Sequence, residues 1–222
     1  MTEIALRLGE SSTVYGIDPW EEAIERTQLK IKTMGIRNTR IYKGEAENMP
    51  FRDAYFDLII SNNGLNNTKD LYVALKECNR VAKKGTPLIF TANLPDTMIE
   101  FYKIFIAVLS SHGLNNEIGK LKQYISEKRK SVDDLIIMLK NSGFDIHKIA
   151  EEKFYMDFMD GTTFFNHFFI KIAFLDYWHQ IVLKKDSRKV FSELEKKLNL
   201  YAIQHGSLKL TIPFACFSCI RK

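Results

Sequence analysis

The chain has 222 residues, 45% of them hydrophobic, which suits one domain with insertions and is too apolar for a disordered segment. Its 32 basic and 27 acidic residues leave a net charge of only +5, spread along the sequence, which argues against a nucleic-acid partner. Three cysteines exclude a disulfide framework, and no uncharged apolar run reaches the roughly 18 residues of a membrane span.

Met1 is not followed by a signal peptide, so a reducing, cytoplasmic location is the expectation. The one short basic run, Lys128-Arg129-Lys130, reads as a solvated face. Cys216 and Cys219 form a C-x-x-C inside a strand pattern, where an odd spacing sends the thiols to opposite faces. That spacing argues against metal or redox use, and no other metal-ligand pattern is present.

Ile4, Ala5 and Leu8 sit at helical spacing and Gly9 stops them. Val14-Tyr15-Gly16-Ile17-Asp18 reads as a strand that runs out at a carboxylate. A helix follows from about Pro19 to Met34, with Ala23, Ile24, Thr27, Ile31 and Met34 on one stripe. Arg40-Ile41-Tyr42 is a short strand leading into the loop 44–51. Phe56 to Ser61 reads as a buried strand, followed by the polar loop Asn62-Asn63-Gly64. Thr68 is the expected N-cap of a helix with its stripe at Leu71, Ala74, Leu75, Cys78 and Val81. Leu88 to Ala92 is the next strand. Strands alternating with amphipathic helices predict an α/β fold with a parallel sheet and helices on both faces.

Ligands of open α/β sheets bind beyond the carboxyl ends of the strands. A carboxylate at that place can accept two hydrogen bonds from a ribose diol. Asp18 therefore has two readings, a nucleoside-binding acid or a cap of the next helix.

Four stretches taken together resemble the class I S-adenosylmethionine-dependent methyltransferases, of the type that includes ubiquinone and menaquinone biosynthesis enzymes. They are Gly16-Ile17-Asp18, the loop Gly44-Glu45-Ala46-Glu47-Asn48-Met49-Pro50-Phe51, the strand Phe56-Asp57-Leu58-Ile59-Ile60-Ser61-Asn62, and Arg80-Val81-Ala82-Lys83-Lys84-Gly85. The resemblance covers about residues 2–95. It implies a Rossmann-like core at 1–95 that binds S-adenosyl-L-methionine, with Asp18 on the ribose and Pro19 and Trp20 flanking the adenine. Glu45, Ala46 and Glu47 would lie at the adenine edge, and Asn62 completes the implied cofactor set. Glu45 departs from the family's Asp, and Lys84 and Thr86 replace a Pro and a Gly.

The large departure is at the start. The family opens with a strand and a G-x-G-x-G loop against the methionine part of the cofactor, and none of the 11 glycines here falls in a G-x-G. That strand is central in the fold, and its absence would leave a gap of two strand spacings, roughly 10 Å. The chain is therefore expected to be an incomplete version of the functional protein, binding the cofactor weakly as it stands.

In the second half, Thr97–Leu114 and Asn116–Lys130 read as helices, making 96–130 a helical insertion. Ser131 to Asp134 resembles a capping box. Segment 131–222 returns to the core through a long strand from Phe144 to Phe158 and a last strand from Ser207 to Ile220. Between them lie an aromatic stretch, Asp160–Ile181, expected to be largely enclosed, and a helix from Ser187 to His205. The resemblance implies that the last two strands pair antiparallel and that the insertions at 96–130 and about 160–206 form a substrate lid. Phe101, Tyr102, Tyr155, His167 and Trp178 are the candidate acceptor-lining residues, set against a plain core role. Methyl transfer is an in-line displacement in which the cofactor carries the activation, so no catalytic triad is expected and no catalytic residue is assigned. The expected function is methyl transfer to a small apolar or aromatic acceptor. The alternative is a binding or regulatory protein on the same fold; a nicotinamide dehydrogenase fits the loop at 45–51 less well.

Overall fold

The computed structural model describes all 222 residues. The first half of the chain runs α1 (Thr2–Leu8), β1 (Val14–Asp18), α2 (Glu21–Thr33), β2 (Thr39–Lys43), β3 (Ile59–Asn62), a 3-10 turn (Leu65–Asn67), α3 (Leu71–Val81) and β4 (Pro87–Asn93). Then follow α4 (Ile99–Ser111), α5 (Asn115–Lys128), α6 (Val132–Asn141) and β5 (Phe144–Phe158). The last stretch holds α7 (Gly161–Asn166), α8 (Phe168–Ile170), a π turn (Lys171–Leu175), α9 (Asp176–Ile181), α10 (Lys184–His205) and β6 (Leu208–Arg221).

The periodic stripes of the sequence become the buried faces. On α3, Ala74, Leu75, Cys78 and Val81 are fully buried, and burial pushes the Cys78 thiol up to about 12. The cap of α3 is not Thr68 but Asp70, whose Oδ1 accepts the N–H groups of Tyr72 and Val73. Thr68 instead closes the 3-10 turn by donating to the Leu65 carbonyl at 2.8 Å. A carboxylate two residues nearer the helix also meets the positive end of its dipole, which a hydroxyl cannot. The Ser131 box forms as expected: Asp134 N–H donates to Ser131 Oγ, and the Asp134 carboxylate accepts from Ser131 N–H and Oγ–H.

Strands β1 and β2 pair in parallel, Val14 opposite Thr39 through Asp18 opposite Lys43. The other sheet has the order β3-β4-β6-β5. Here β6 runs antiparallel to β4: Gly85 N–H donates to the Arg221 carbonyl and Leu94 N–H to the Pro213 carbonyl. The result is an α/β fold, a parallel sheet with an antiparallel C-terminal strand.

The sheet is in two pieces. No ladder joins β1 to β3. Tyr15 of β1 instead packs edge-on against Phe51, Tyr55 and Phe56, with ring centroids 5.5–5.7 Å away. Its hydroxyl lies 3.0 Å from that of Tyr55. All five residues of β1 are half-buried, and Ile60 of β3 is 41% exposed. Strands inside a parallel sheet are normally covered on both faces.

The chain folds into two compact units, each built from separate stretches of the sequence. The first comprises Met1–Phe90, Ile136–Lys148 and Phe217–Lys222. Its buried residues include the α3 stripe, Leu88, Phe90, Leu139, Phe144 and Phe217, the rings of Phe90 and Phe217 stacked at 5.0 Å. The second comprises Thr91–Leu135 and Ile149–Cys216 and centres on Phe101, Phe105, Phe164, Trp178, Leu194 and Leu198.

The aromatic stretch 160–181 is less enclosed than its composition suggests. Phe164, Ile170, Trp178 and Ile181 are buried, but Phe168, Phe169, Ile172 and Tyr177 are exposed. The helix breaks at His167, which is extended, and resumes through the π turn. The apolar residues thus fall on several short faces, only some of which meet the core. No helix is long and apolar enough to cross a membrane.

Candidate functional site

The carboxyl end of β1 places Asp18 where the sequence put it. Its Oδ1 accepts the Trp20 N–H at 2.9 Å, turning the chain into α2, and its Oδ2 accepts no hydrogen bond from the chain. Asp18 thus shapes the start of α2 with one oxygen and leaves the other without a hydrogen bond from the chain. Pro19 and Trp20 are exposed, Trp20 by 64%, so the indole is not used in packing its own helix. Gly44 N–H donates to the Asp18 carbonyl at 3.1 Å, which ties the loop 44–51 to the same strand end.

That loop is held along its length. Glu45 pairs with Lys69 at 2.5 Å, and this hydrogen bond and charge raise the Lys69 ammonium pKa. Glu47 Oε1 accepts the N–H groups of Lys69 and Asp70 at 2.7 and 3.2 Å. Met49 N–H donates to Glu77 Oε1 at 2.7 Å. Arg80 then grips the far end: Nη1 donates to the Phe51 carbonyl and to Asp53, and Nη2 to the Met49 carbonyl. Arg80 also forms a bidentate pair with Glu77 through Nε and Nη2, at 2.8 and 2.6 Å. The Arg80 bonds, followed by the Met49 N–H, hold the Glu77 carboxyl below its ordinary value against the opposing cost of burial. Between these fixed points the Ala46 N–H has no acceptor in the chain. Asn62, at the end of β3, lies exposed on the same unit.

Two roles escaped the sequence reading. Arg80 was visible only as part of a helix-end motif; its partners lie 27–31 residues away and no local pattern announces them. Asn93, at the carboxyl end of β4, has a buried Oδ1 that accepts no hydrogen bond. A polar residue closing an apolar strand was the signal for it.

The second unit brings three of the five acceptor candidates together. Phe101 lies 4.4 Å from Trp178 and 5.2 Å from Tyr102, ring to ring, all three buried. His167 is exposed at the rim, edge-on to Phe158 at 5.3 Å. Tyr155 stands apart on β5, 44% exposed, with Lys209 over its ring at 4.1 Å.

The adenosine half of an S-adenosyl ligand fits what the first unit offers: an unpaired carboxylate oxygen, a free backbone donor and an exposed indole. No glycine-rich loop for the methionine half is found among the described residues.

Residues 1–90 match the family described as a methyltransferase domain. Demethylmenaquinone methyltransferase from Geobacillus sp. (strain WCH70) is 31% identical over 102 residues, 46% of this chain and 44% of that protein. The chain thus spans less than half the length of the curated relatives it matches. Among solved structures, the YcgJ protein from Bacillus subtilis superposes with a TM-score of 0.61 at 15% identity, over 95% of this chain and 83% of that one. A SAM-dependent methyltransferase from Aquifex aeolicus gives 0.54 at 14% identity, over 99% and 74%. Residues 1–90 thus match a methyltransferase domain, and the chain has the class I S-adenosylmethionine-dependent methyltransferase fold.

Proposed function

We propose that the chain binds S-adenosylmethionine and serves methyl transfer to a small apolar or aromatic molecule. The observation that carries the reading is Asp18, with one carboxylate oxygen free at the end of β1 beside a loop clamped by Arg80 and Glu77. In this reading Asp18 Oδ2 accepts from the ribose diol, the Ala46 N–H meets a ring nitrogen of the adenine, and Trp20 and Pro19 cover one adenine face. Glu45 and Glu47 lie at the adenine edge, where their ties to Lys69 and Asp70 fix the loop. Asn62 closes the same strand-end surface. When bound, the cofactor supplies an electrophilic methyl group on a sulfonium. The protein's part is to hold it still and exclude water; Phe101, Tyr102, Trp178, His167 and Tyr155 are the residues proposed to line the acceptor. A protein that binds the cofactor without catalysis would use the same residues of the first unit.

Calorimetry with S-adenosylhomocysteine on Asp18→Asn tests the assignment. Asparagine keeps the turn into α2 through its own side-chain oxygen but removes the charge. Loss of a charge-assisted contact costs about 1.5–3 kcal/mol, so affinity should fall roughly ten- to hundredfold. Equal affinity in wild type and Asp18→Asn would reduce Asp18 to a helix cap.

A further inference from the structure

Strand β2 sets two side chains on the face it shares with Tyr15. Arg40 stands directly opposite Tyr15 in the parallel ladder, and Tyr42, two residues on, falls on the same face. The rings of Tyr15 and Tyr42 stack with centroids 6.2 Å apart. Beyond the loop 44–51 the chain returns to this face: Phe51 lies edge-on to both tyrosines, and Tyr55 stacks on Phe51 at 5.9 Å. Arg52, next to Phe51, holds its guanidinium over the Tyr55 ring, 5.5 Å from the centroid. These six side chains line a cavity of about 280 Å³ in the first unit. It lies apart from the cofactor residues: Tyr15 is three residues back from Asp18, about 10 Å along β1.

The charge of this cavity is one-sided. Two arginines line it and no carboxylate does. None of the ion pairs of the chain includes Arg40 or Arg52. Asp53, the acid next to Arg52 in sequence, is held by Arg80 at 2.6 Å. The hydroxyls of Tyr15 and Tyr55 lie 3.0 Å apart, so one donates to the other. The accepting hydroxyl keeps its own hydrogen free to donate elsewhere. Two cations and a phenol donor thus meet over a floor of rings, and no acid of the chain answers them.

We propose that Arg40, Arg52 and the Tyr15–Tyr55 hydroxyl pair form a binding site for a phosphate monoester carried on a flat ring, with the ring laid against Tyr42 and Phe51. The class follows from the parts. Two guanidiniums match the two negative charges of a monoester, and each can bond its oxygens in parallel; a carboxylate answers only one of them. Tyr42 is 37% exposed and offers an open ring face for stacking. The cavity falls just below the range of drug-sized pockets, which suits one ring with one anionic group. The site shares no residue with Asp18, Trp20 or Ala46, so it stands or falls independently of the cofactor reading.

Phenyl phosphate, inorganic phosphate, benzoate and benzyl alcohol are titrated separately into the 222-residue chain by calorimetry at pH 8, where the monoester is a dianion. Phenyl phosphate should bind at least about tenfold more tightly than each of the other three. Arg40→Gln and Arg52→Gln, both at exposed positions, should each weaken phenyl phosphate at least about tenfold. Tyr55→Phe, which keeps the ring, should weaken it several-fold. Arg37→Gln, which removes an exposed cation outside the cavity, should leave it unchanged. Absence of phenyl phosphate binding, benzoate or inorganic phosphate binding as tightly, an unchanged affinity in either Arg40→Gln or Arg52→Gln, or an equal loss in Arg37→Gln would overturn the proposal.

Discussion

At the residue scale, Glu77 and Arg80 show how the loop 44–51 is set from behind. Neither touches the face where Ala46 and Asp18 wait, yet Glu77 holds the Met49 N–H and Arg80 holds two loop carbonyls. The place of Asp18 was legible, because an apolar strand pattern that runs out at a carboxylate marks the strand end. The Glu77–Arg80 clamp was not, since its geometry is set by tertiary packing and not by spacing along the chain. The pair has a pH signature. The native Glu77 carboxyl is held below its ordinary 4.5, with hydrogen bonding to Arg80 the largest cause. Above that value both folded and unfolded states are ionised and the stabilisation is complete. As pH falls below it the unfolded state takes up the proton first, and the stabilisation is lost as pH passes down through the native value. Glu77→Gln should therefore lose about 1–2 kcal/mol at neutral pH, a figure kept low because Arg80 retains a third of its side-chain surface in water. Denaturant unfolding at several pH values should show the wild-type advantage shrink in acid. A constant difference from neutral pH to well below 4.5 would mean that the pair is not what stabilises the loop.

At the element scale, hydrophobic period placed nearly every helix and strand, because the stripes on α3, α4 and α10 are long and the strands β5 and β6 are unbroken. The ends were less legible. Thr68 and Asp70 are both acceptable caps in sequence, and only the 3-10 turn at Leu65–Asn67, which takes Thr68 for itself, decides between them. Asp70→Ala should then cost about 1 kcal/mol in unfolding free energy, whereas Thr68→Ala should leave the helix cap intact. Equal losses, measured by urea denaturation of the two variants, would show the capping role to be shared. The stretch 160–181 was harder still. Its composition reads as one enclosed helix, but a break at His167 and the π turn divide it, and burial cannot be read from composition once the faces are cut short.

At the scale of the whole molecule, the alternation of strands and helices announced the α/β fold, and the sheet is in two pieces. What the sequence did not reveal is how the interruption is bridged. The pair β1–β2 has a ladder on one side only, and its link to β3 is the cluster of Tyr15, Phe51, Tyr55 and Phe56. Aromatic pairs of this kind contribute about 0.5–1.5 kcal/mol each beyond their buried area, and they hold side chains without protecting backbone amides. The Leu88 and Phe90 region of β4 differs: both residues are fully buried, and the strand is paired on both edges. Local opening free energies fall where few backbone hydrogen bonds are shielded from solvent. Hydrogen exchange should therefore show the amides of 14–18 and 39–43 exchanging at least about tenfold faster than those of 88–90 and 217–219, through openings that leave the four-stranded sheet intact. A Tyr15→Leu substitution, which removes the ring contacts but keeps an apolar side chain, should widen that difference by weakening this link. Uniform protection across both sheets, unchanged by Tyr15→Leu, would mean that β1–β2 opens only with the whole unit and that the aromatic cluster couples the two pieces as tightly as a ladder would.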